Sequence, residues 1–248
     1  MPRTAREKSK TGIYHIMVRG INRQEIFHDE EDRGVYLKRL SKYKQECGFK
    51  IYAYCLMNNH VHLLIREGEE GISDIMKKIG ASYVYWYNRK YNRAGHLFQD
   101  RYKSESVEDD AYLLTVTRYI IQNPIRAGLT VDEWTSRGDY AKGGGLTDVR
   151  FILYMFCDDE ERAKKLFFEY INEKNDDRCL EIEEQRRLTD EEAKKAIRTT
   201  GKVSDCQEIQ SLEKVSRDKV LGRLKKKGLS IRQIERLTGV SRGVIFNA

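Results

Sequence analysis

Apolar residues fill both alternating sets of positions between Ile13 and Arg19: Ile13, His15 and Met17 against Tyr14, Ile16 and Val18. Side chains two apart on a strand share a face, so this pattern predicts a largely buried strand. Four acidic residues, Asp29 to Asp32, then open a helical stretch, where negative charge favours the helix N-terminus. Tyr36, Leu40, Tyr43 and Cys47 recur along it at helical spacing, and Gly48 ends it. Phe49 to Met57 and His60 to Ile65 read as two strands around the turn residues Asn58 and Asn59. A second helix is predicted over Ser73 to Tyr91, with Met76, Ile79, Tyr83 and Trp86 on one face. Leu97 to Val107 reads as a fourth strand, and Glu108 to Gln122 as a third helix stopped by Pro124, which has no N–H to donate. The order β-α-β-β-α-β, then a helix, predicts an α+β fold: a ferredoxin-like split βαβ antiparallel sheet with helices on one face. The other face is expected to stay free for a ligand or partner.

Four glycines between Gly138 and Gly145 suggest a linker. From Leu146 to about Arg217 the pattern is helical and heavily charged, with apolar clusters at Ile152, Met155, Phe156 and at Leu166, Phe167, Tyr170, Ile171. No chemistry shows in it, and a structural spacer is expected. Leu221 to Ala248 predicts a helical extension ending like a helix-turn-helix: Ser230 with Gln233 three residues on reads as a capping box, Ile231, Ile234 and Leu237 follow, then Gly239 in the tight turn and Ser241 as a second N-cap. The expected division is therefore 1–130, 131–217 and 218–248.

Charge sharpens this division. Residues 1–130 carry 22 Lys/Arg against 16 Asp/Glu, residues 131–217 carry 16 against 21, and residues 218–248 carry 8 against 2. Basic ends around an acidic middle suit two surfaces that meet a polyanion, nucleic acid first among them, although a solvated surface accounts for charge alone equally well. The longest apolar run, Phe151 to Cys157, is too short to span a bilayer, so no membrane partner is expected. Five cysteines without a CxxC, and a polar start to the chain, suggest a reducing cytoplasmic setting.

The candidate chemistry starts at Asn59-His60-Val61-His62-Leu63-Leu64. Two histidines at i and i+2 on a strand point to one face and can share a divalent cation as neutral nitrogen ligands. Histidine-triad hydrolases place a third histidine where Leu64 stands, and two-histidine phosphoesterases need His-x-Ser/Thr motifs that the chain lacks. A His-hydrophobe-His nuclease adds a tyrosine on a later helix, and Tyr119 lies on the third. There Leu113, Val116 and Ile120 mark the buried stripe, with Tyr119 at its edge and Asn123 one turn beyond on the same flank. Arg118 and Arg126 lie close enough to meet phosphates, with Gln122 beside them.

Three blocks in order, Asn58 to Leu64, Gly95-His96-Leu97-Phe98-Gln99-Asp100-Arg101-Tyr102-Lys103-Ser104 and Tyr119-Ile120-Ile121-Gln122-Asn123-Pro124-Ile125-Arg126-Ala127-Gly128-Leu129, resemble the single-tyrosine HUH transposases, an IS200-like group that includes the REP-associated tyrosine transposases. The resemblance spans roughly residues 10–130. It implies the same ferredoxin-like sheet, a Mg²⁺ or Mn²⁺ ion on His60 and His62 completed by Asn123, and Tyr119 as nucleophile on single-stranded DNA, with hairpins as the expected substrate. Many relatives carry glutamine or another polar residue at the third ligand, so the resemblance points to Asn123 less specifically than to the histidines. Arg19, Arg23, Arg101, Lys103, Arg118, Gln122 and Arg126 are the expected DNA contacts beside the site, and Arg232, Arg236 and Arg242 those of the C-terminal segment. The implied activity is cleavage and rejoining through a 5′-phosphotyrosine link, in a monomer or a homodimer. The rivals are a non-cleaving DNA-binding regulator on the same fold, and an RNA-binding or structural protein that stacks bases on the aromatic-basic stretch Tyr83 to Arg93.

Overall fold

The computed structural model describes residues 7–127, 134–180 and 189–248. These form two compact units, Met1–Glu181 and Ile182–Ala248. The first opens with β1 (Ile13–Arg19), α1 (Glu30–Cys47), β2 (Lys50–Met57), β3 (His60–Arg66), α2 (Ile72–Lys90), β4 (Lys103–Ser106) and α3 (Asp110–Arg126). The sheet order is β2-β3-β1-β4, and every neighbouring pair is antiparallel. β3 thus sits between β1 and β2, which is the split βαβ arrangement that the sequence predicts.

Local signals set the ends of α1. The Asp29 carboxylate accepts from the Asp32 N–H while Asp32 reaches back, a reciprocal capping box. Gly48 closes the helix in the left-handed region, at φ 67°. Tyr36 and Leu40 of α1 and Ile75, Ile79 and Tyr83 of α2 pack on one sheet face, against Ile16, Val18, Tyr54, Leu56, Val61, Leu63 and Ile65.

The second face is covered as well, which corrects the expectation of helices on one face only. Its Tyr52, Ala53, Cys55 and Leu64 meet Leu113, Val116, Tyr119 and Ile120 of α3. Ile152, Phe167 and Ile171 join the same core from α5 (Val149–Leu153) and α6 (Glu160–Asn172). The glycine-bearing stretch is no linker either. α4 (Arg137–Lys142) carries the fully buried Tyr140, whose hydroxyl donates to the Tyr52 carbonyl at 2.8 Å and whose ring stacks 4.1 Å from Phe167. The physical reason is that both faces of β2 are apolar, and an apolar face left in water costs roughly 25 cal/mol per Å². Residues 134–180 therefore belong to the first unit, where a boundary at 130 was expected.

Two elements differ from their predicted extents. α3 runs through Pro124 to Arg126, because the missing N–H falls in the last turn and forfeits a single ladder bond while the proline itself is buried. The fourth strand shortens to Lys103–Ser106: Ile21 and Gln99 pair with Leu97 and Arg19 through the backbone, and Asp100 then turns the chain by accepting from the Arg101 N–H.

The second unit holds α7 (Asp190–Gly201), α8 (Lys214–Lys226), α9 (Ile231–Thr238) and α10 (Arg242–Asn247) around Ile197, Ile209, Leu221, Leu224, Ile234 and Ile245. α7 shares a core with α8, so the expected boundary at 218 falls within one packed body. Ser230 caps α9 through the Gln233 N–H, but the Gln233 side chain turns to Asp190, so the capping box is half formed. Gly239 caps the end of α9 at φ 74°. No described helix is long and apolar enough to cross a membrane.

Phe167 tests the role of the covering layer. Phe167→Ala is expected to cost about 3–5 kcal/mol, as for other large-to-small changes at fully buried aromatic positions. Urea unfolding followed by circular dichroism measures it, and a cost below about 1 kcal/mol would show that α6 is not part of the core.

Candidate active site

The strand register assembles the site. His60 pairs with Arg19, His62 with Met17, and Leu64 with His15 across β3 and β1. Across β1 and β4, His15 pairs with Glu105 and Met17 with Lys103. Directly paired residues share a face, so His15, Arg19, His60, His62, Lys103 and Glu105 all lie on the side covered by α3. Exposure rises along it, from His15 (0 %) and His62 (1 %) through half-buried His60 and Arg19 to exposed Lys103. Gly20 follows Arg19 where a Cβ would come 2.2 Å from the Gln24 carbonyl oxygen, and its N–H donates to the Asn59 carbonyl at 2.9 Å. That close approach pins the end of β1 beside His60.

Both motif histidines are held through the same ring nitrogen. His60 Nδ1 lies 2.6 Å from Asn59 Oδ1, and the Asn59 amide also donates to the Arg23 carbonyl at 3.4 Å. An amide oxygen only accepts, so His60 Nδ1 carries the proton and Nε2 the lone pair. His62 Nδ1 lies 2.9 Å from Nε2 of His15, the residue that sequence reasoning left among strand positions. The only sequence signal for His15 was a polar side chain in an apolar strand; the register is what joins it to His62.

Burial pushes the His62 imidazole well below its ordinary pKa, and nearby His15 and His60 push it the same way. Burial also lowers His15, opposed by Glu105. Both rings are therefore neutral at neutral pH. The His60 and His62 ring centroids are 5.0 Å apart. Two imidazoles side by side, each held through Nδ1, suit a divalent cation as donors. Among the described residues no group of three or more His, Cys, Asp or Glu side chains is arranged to hold a metal.

Tyr119 reaches this cluster from α3. Its ring packs edge-on to His62 at 5.7 Å and to His15 at 5.9 Å between centroids. It is 1 % exposed, deeper than the edge position that helical spacing suggested, because its ring turns in against His15 and His62 on the sheet. Asn123 is half-buried one turn further along.

The expected DNA contacts separate into two groups. Arg19 and Lys103 share the histidine face, and the exposed Arg23 and Arg101 sit in the segments that follow β1 and precede β4. Arg118 and Gln122, by contrast, are engaged internally. Arg118 donates to Asp177 at 2.8 and 3.1 Å and to Glu173 at 3.2 Å, and lies 4.1 Å from the Tyr170 ring centre. Gln122 donates to the Ile171 carbonyl at 2.6 Å and accepts from Asn175. A guanidinium on the flank of a helix takes the nearest carboxylates, and the chain itself supplies them. The Arg126 side chain lies outside the described residues. In the second unit Arg232 is exposed, while Arg236 pairs with Asp190 and Arg242 with Glu235.

Residues 8–123 match the family model of IS200-like transposases. The match covers a little under half of the chain. Two solved structures resemble the chain. One is the REP-associated tyrosine transposase bound to a REP hairpin, 19 % identical, covering 60 % of this chain and 96 % of its own, with TM-score 0.48. The other is a putative transposase from Deinococcus radiodurans, 18 % identical, covering 52 % and 99 %, with TM-score 0.34. None of the curated proteins compared with the chain matches it.

The neutral, buried histidines make the fold sensitive to mild acid. An unfolded histidine titrates near 6.5 and the folded His62 well below it, so between those values the unfolded state binds the extra proton. Stability is complete above about pH 6.5 and falls as pH drops from there toward 5. Thermal melts across that range are expected to show a falling Tm; a flat profile between pH 7 and 5 contradicts it.

Proposed function

We propose that this chain is a divalent-metal-dependent single-strand DNA endonuclease and transposase acting through Tyr119, with hairpin-forming repeats as its substrates. The observation that carries the reading is the contact of the Tyr119 ring with His62 on the face that also holds His60, within one chain. His60 and His62 would hold Mg²⁺ or Mn²⁺ through Nε2, with Asn123 as third protein ligand. Bound there, the ion supplies positive charge to a phosphate oxygen as negative charge builds in the transition state.

The protein's own groups do the rest. Arg19, opposite His60, and the exposed Lys103, level with His62, draw the phosphodiester in where the face opens to solvent. Tyr119 Oη loses its proton and attacks phosphorus, while the bond from phosphorus to the 3′ oxygen breaks. The products are a 5′-phosphotyrosine link and a 3′-OH that has taken up a proton. The link conserves the phosphodiester bond, so a 3′-OH attacking it rejoins strands. With His62 and Tyr119 each 1 % exposed, substrate entry requires local displacement of the side chains above them. A homodimer on this reading pairs two complete sites. Hairpin DNA is the partner that the resemblance of residues 8–123 to the IS200-like transposases implies.

Removing one atom tests the nucleophile. Tyr119→Phe keeps the ring against the histidines and is expected to leave hairpin binding within about twofold while abolishing the covalent adduct. Mass spectrometry of trapped adducts from a Mg²⁺ reaction locates the linked residue. His60→Ala, His62→Ala or excess EDTA should each eliminate cutting. An adduct on another tyrosine overturns the assignment, and a wild-type protein that binds hairpins without an adduct supports the regulator instead.

The second unit is expected to add salt-dependent affinity. Since α8 to α10 carry its core, surface substitution is the test and deletion is not. Lys226→Gln with Arg232→Gln changes two exposed cations. Each lost phosphate contact should flatten the slope of log K against log salt by about 0.7–0.9. An unchanged slope removes this surface from the DNA interface.

A further inference from the structure

Glu105 and His15 form a line of polar groups that ends on His62. Glu105 Oε2 lies 3.9 Å from His15 Nδ1, and His15 Nε2 lies 2.9 Å from His62 Nδ1. His15 is fully buried, and among the described residues no hydrogen-bond partner satisfies its Nδ1. Glu105 is itself anchored: the Tyr112 hydroxyl donates to Oε2 at 2.6 Å and the Leu180 N–H supports the carboxylate. Three adjacent strands and α3 thus fix the order of groups: hydroxyl, carboxylate, imidazole, imidazole.

We infer that Glu105, acting through His15, is a positioning residue that sets the tautomer of His62 and so aims its Nε2 lone pair into the candidate metal site. The inference rests on reading His62 as a cation ligand. Its logic is a chain of donor and acceptor roles. A neutral imidazole carries one N–H and one lone pair. A lone pair on His15 Nδ1 facing an anionic carboxylate repels it across a buried, weakly screened path, whereas an N–H attracts it. His15 therefore protonates Nδ1 and turns a lone pair at Nε2 toward His62. The 2.9 Å contact then needs a proton from the other side, and His62 Nδ1 supplies it. The lone pair of His62 is left on Nε2.

His60 reaches the same state by a shorter route, through the oxygen of Asn59. The two histidines are thus locked in matching tautomers by different partners, one local in sequence and one built by the sheet. Without the carboxylate, His15 has no reason to hold its proton on Nδ1. Its other tautomer donates from Nε2 into His62 Nδ1, which forces the His62 proton onto Nε2, where it blocks coordination. A partner of this kind typically alters metal affinity by about 10- to 100-fold.

The test uses the full chain with ¹⁵N-labelled histidine and no metal, since long-range ¹H–¹⁵N spectra distinguish the two tautomers. In the wild type His62 is expected to be protonated on Nδ1. Glu105 is part-exposed, so Glu105→Leu should fold; it should move the His62 proton to Nε2 and weaken Mn²⁺ binding, read by titration, about 10- to 100-fold. Glu105→Gln keeps an acceptor oxygen and is expected to restore the tautomer and most of the affinity. His15→Phe, with a melting curve to confirm folding, should weaken Mn²⁺ binding like Glu105→Leu. A wild-type His62 protonated on Nε2, or a tautomer and affinity unmoved in Glu105→Leu, overturns the relay. Wild-type protein that binds no Mn²⁺ while its tautomers are as stated overturns instead the ligand role on which the relay rests.

Discussion

The sheet has two apolar faces, and the burial of the second governs what the site can be. Tyr52, Ala53, Cys55 and Leu64 interleave with the histidine positions, so the same layer that shields them also shields His15 and His62. That shielding keeps the imidazoles neutral, and a neutral imidazole is what a cation needs from its ligand. Packing and electrostatics are thus one constraint: α3 cannot bury the apolar residues of β2 and β3 without also drying the motif.

Charge within the first unit follows from the same layer. Arg118 sits on the outer flank of α3, where Asp177 and Glu173 neutralise it and the Tyr170 ring lies against it. The chain that leaves α6 is held along α3 by this clamp and by Gln122, and it arrives at Leu180 beside Glu105. A buried polar clamp of this sort fixes geometry more than it stabilises, since desolvation offsets much of the attraction. What it fixes here is the placement of the helix that carries Tyr119.

Periodicity alone made the order of the first seven elements legible, since each is amphipathic or alternating in its own right. The histidine pair was legible because a two-residue spacing has a direct geometric meaning on a strand. His15 and Glu105 were not, because their partnership exists only across the β3-β1-β4 register, between residues 47 and 90 positions apart in the chain. The free second face was misjudged for a related reason. α5 has five residues and α4 six, too short for a periodic signal, and α6 reads as charged because its outer side is. Pro124 does not end α3 because the cost of a proline in a helix interior weakens in the last turn.

The cover over the second face also decides where a working piece of this protein can end. All three family-like blocks lie before residue 130, so motif content suggests that a gene fragment stopping there is sufficient. Such a fragment would lack Tyr140, Ile152, Phe167 and Ile171, and would present the outer side of α3 and the Tyr52 side of β2 to water. Exposed apolar surface of that kind promotes association between copies. The smallest well-packed piece is therefore set by its insulation, which runs through α6 to about residue 180, and not by the last of those blocks.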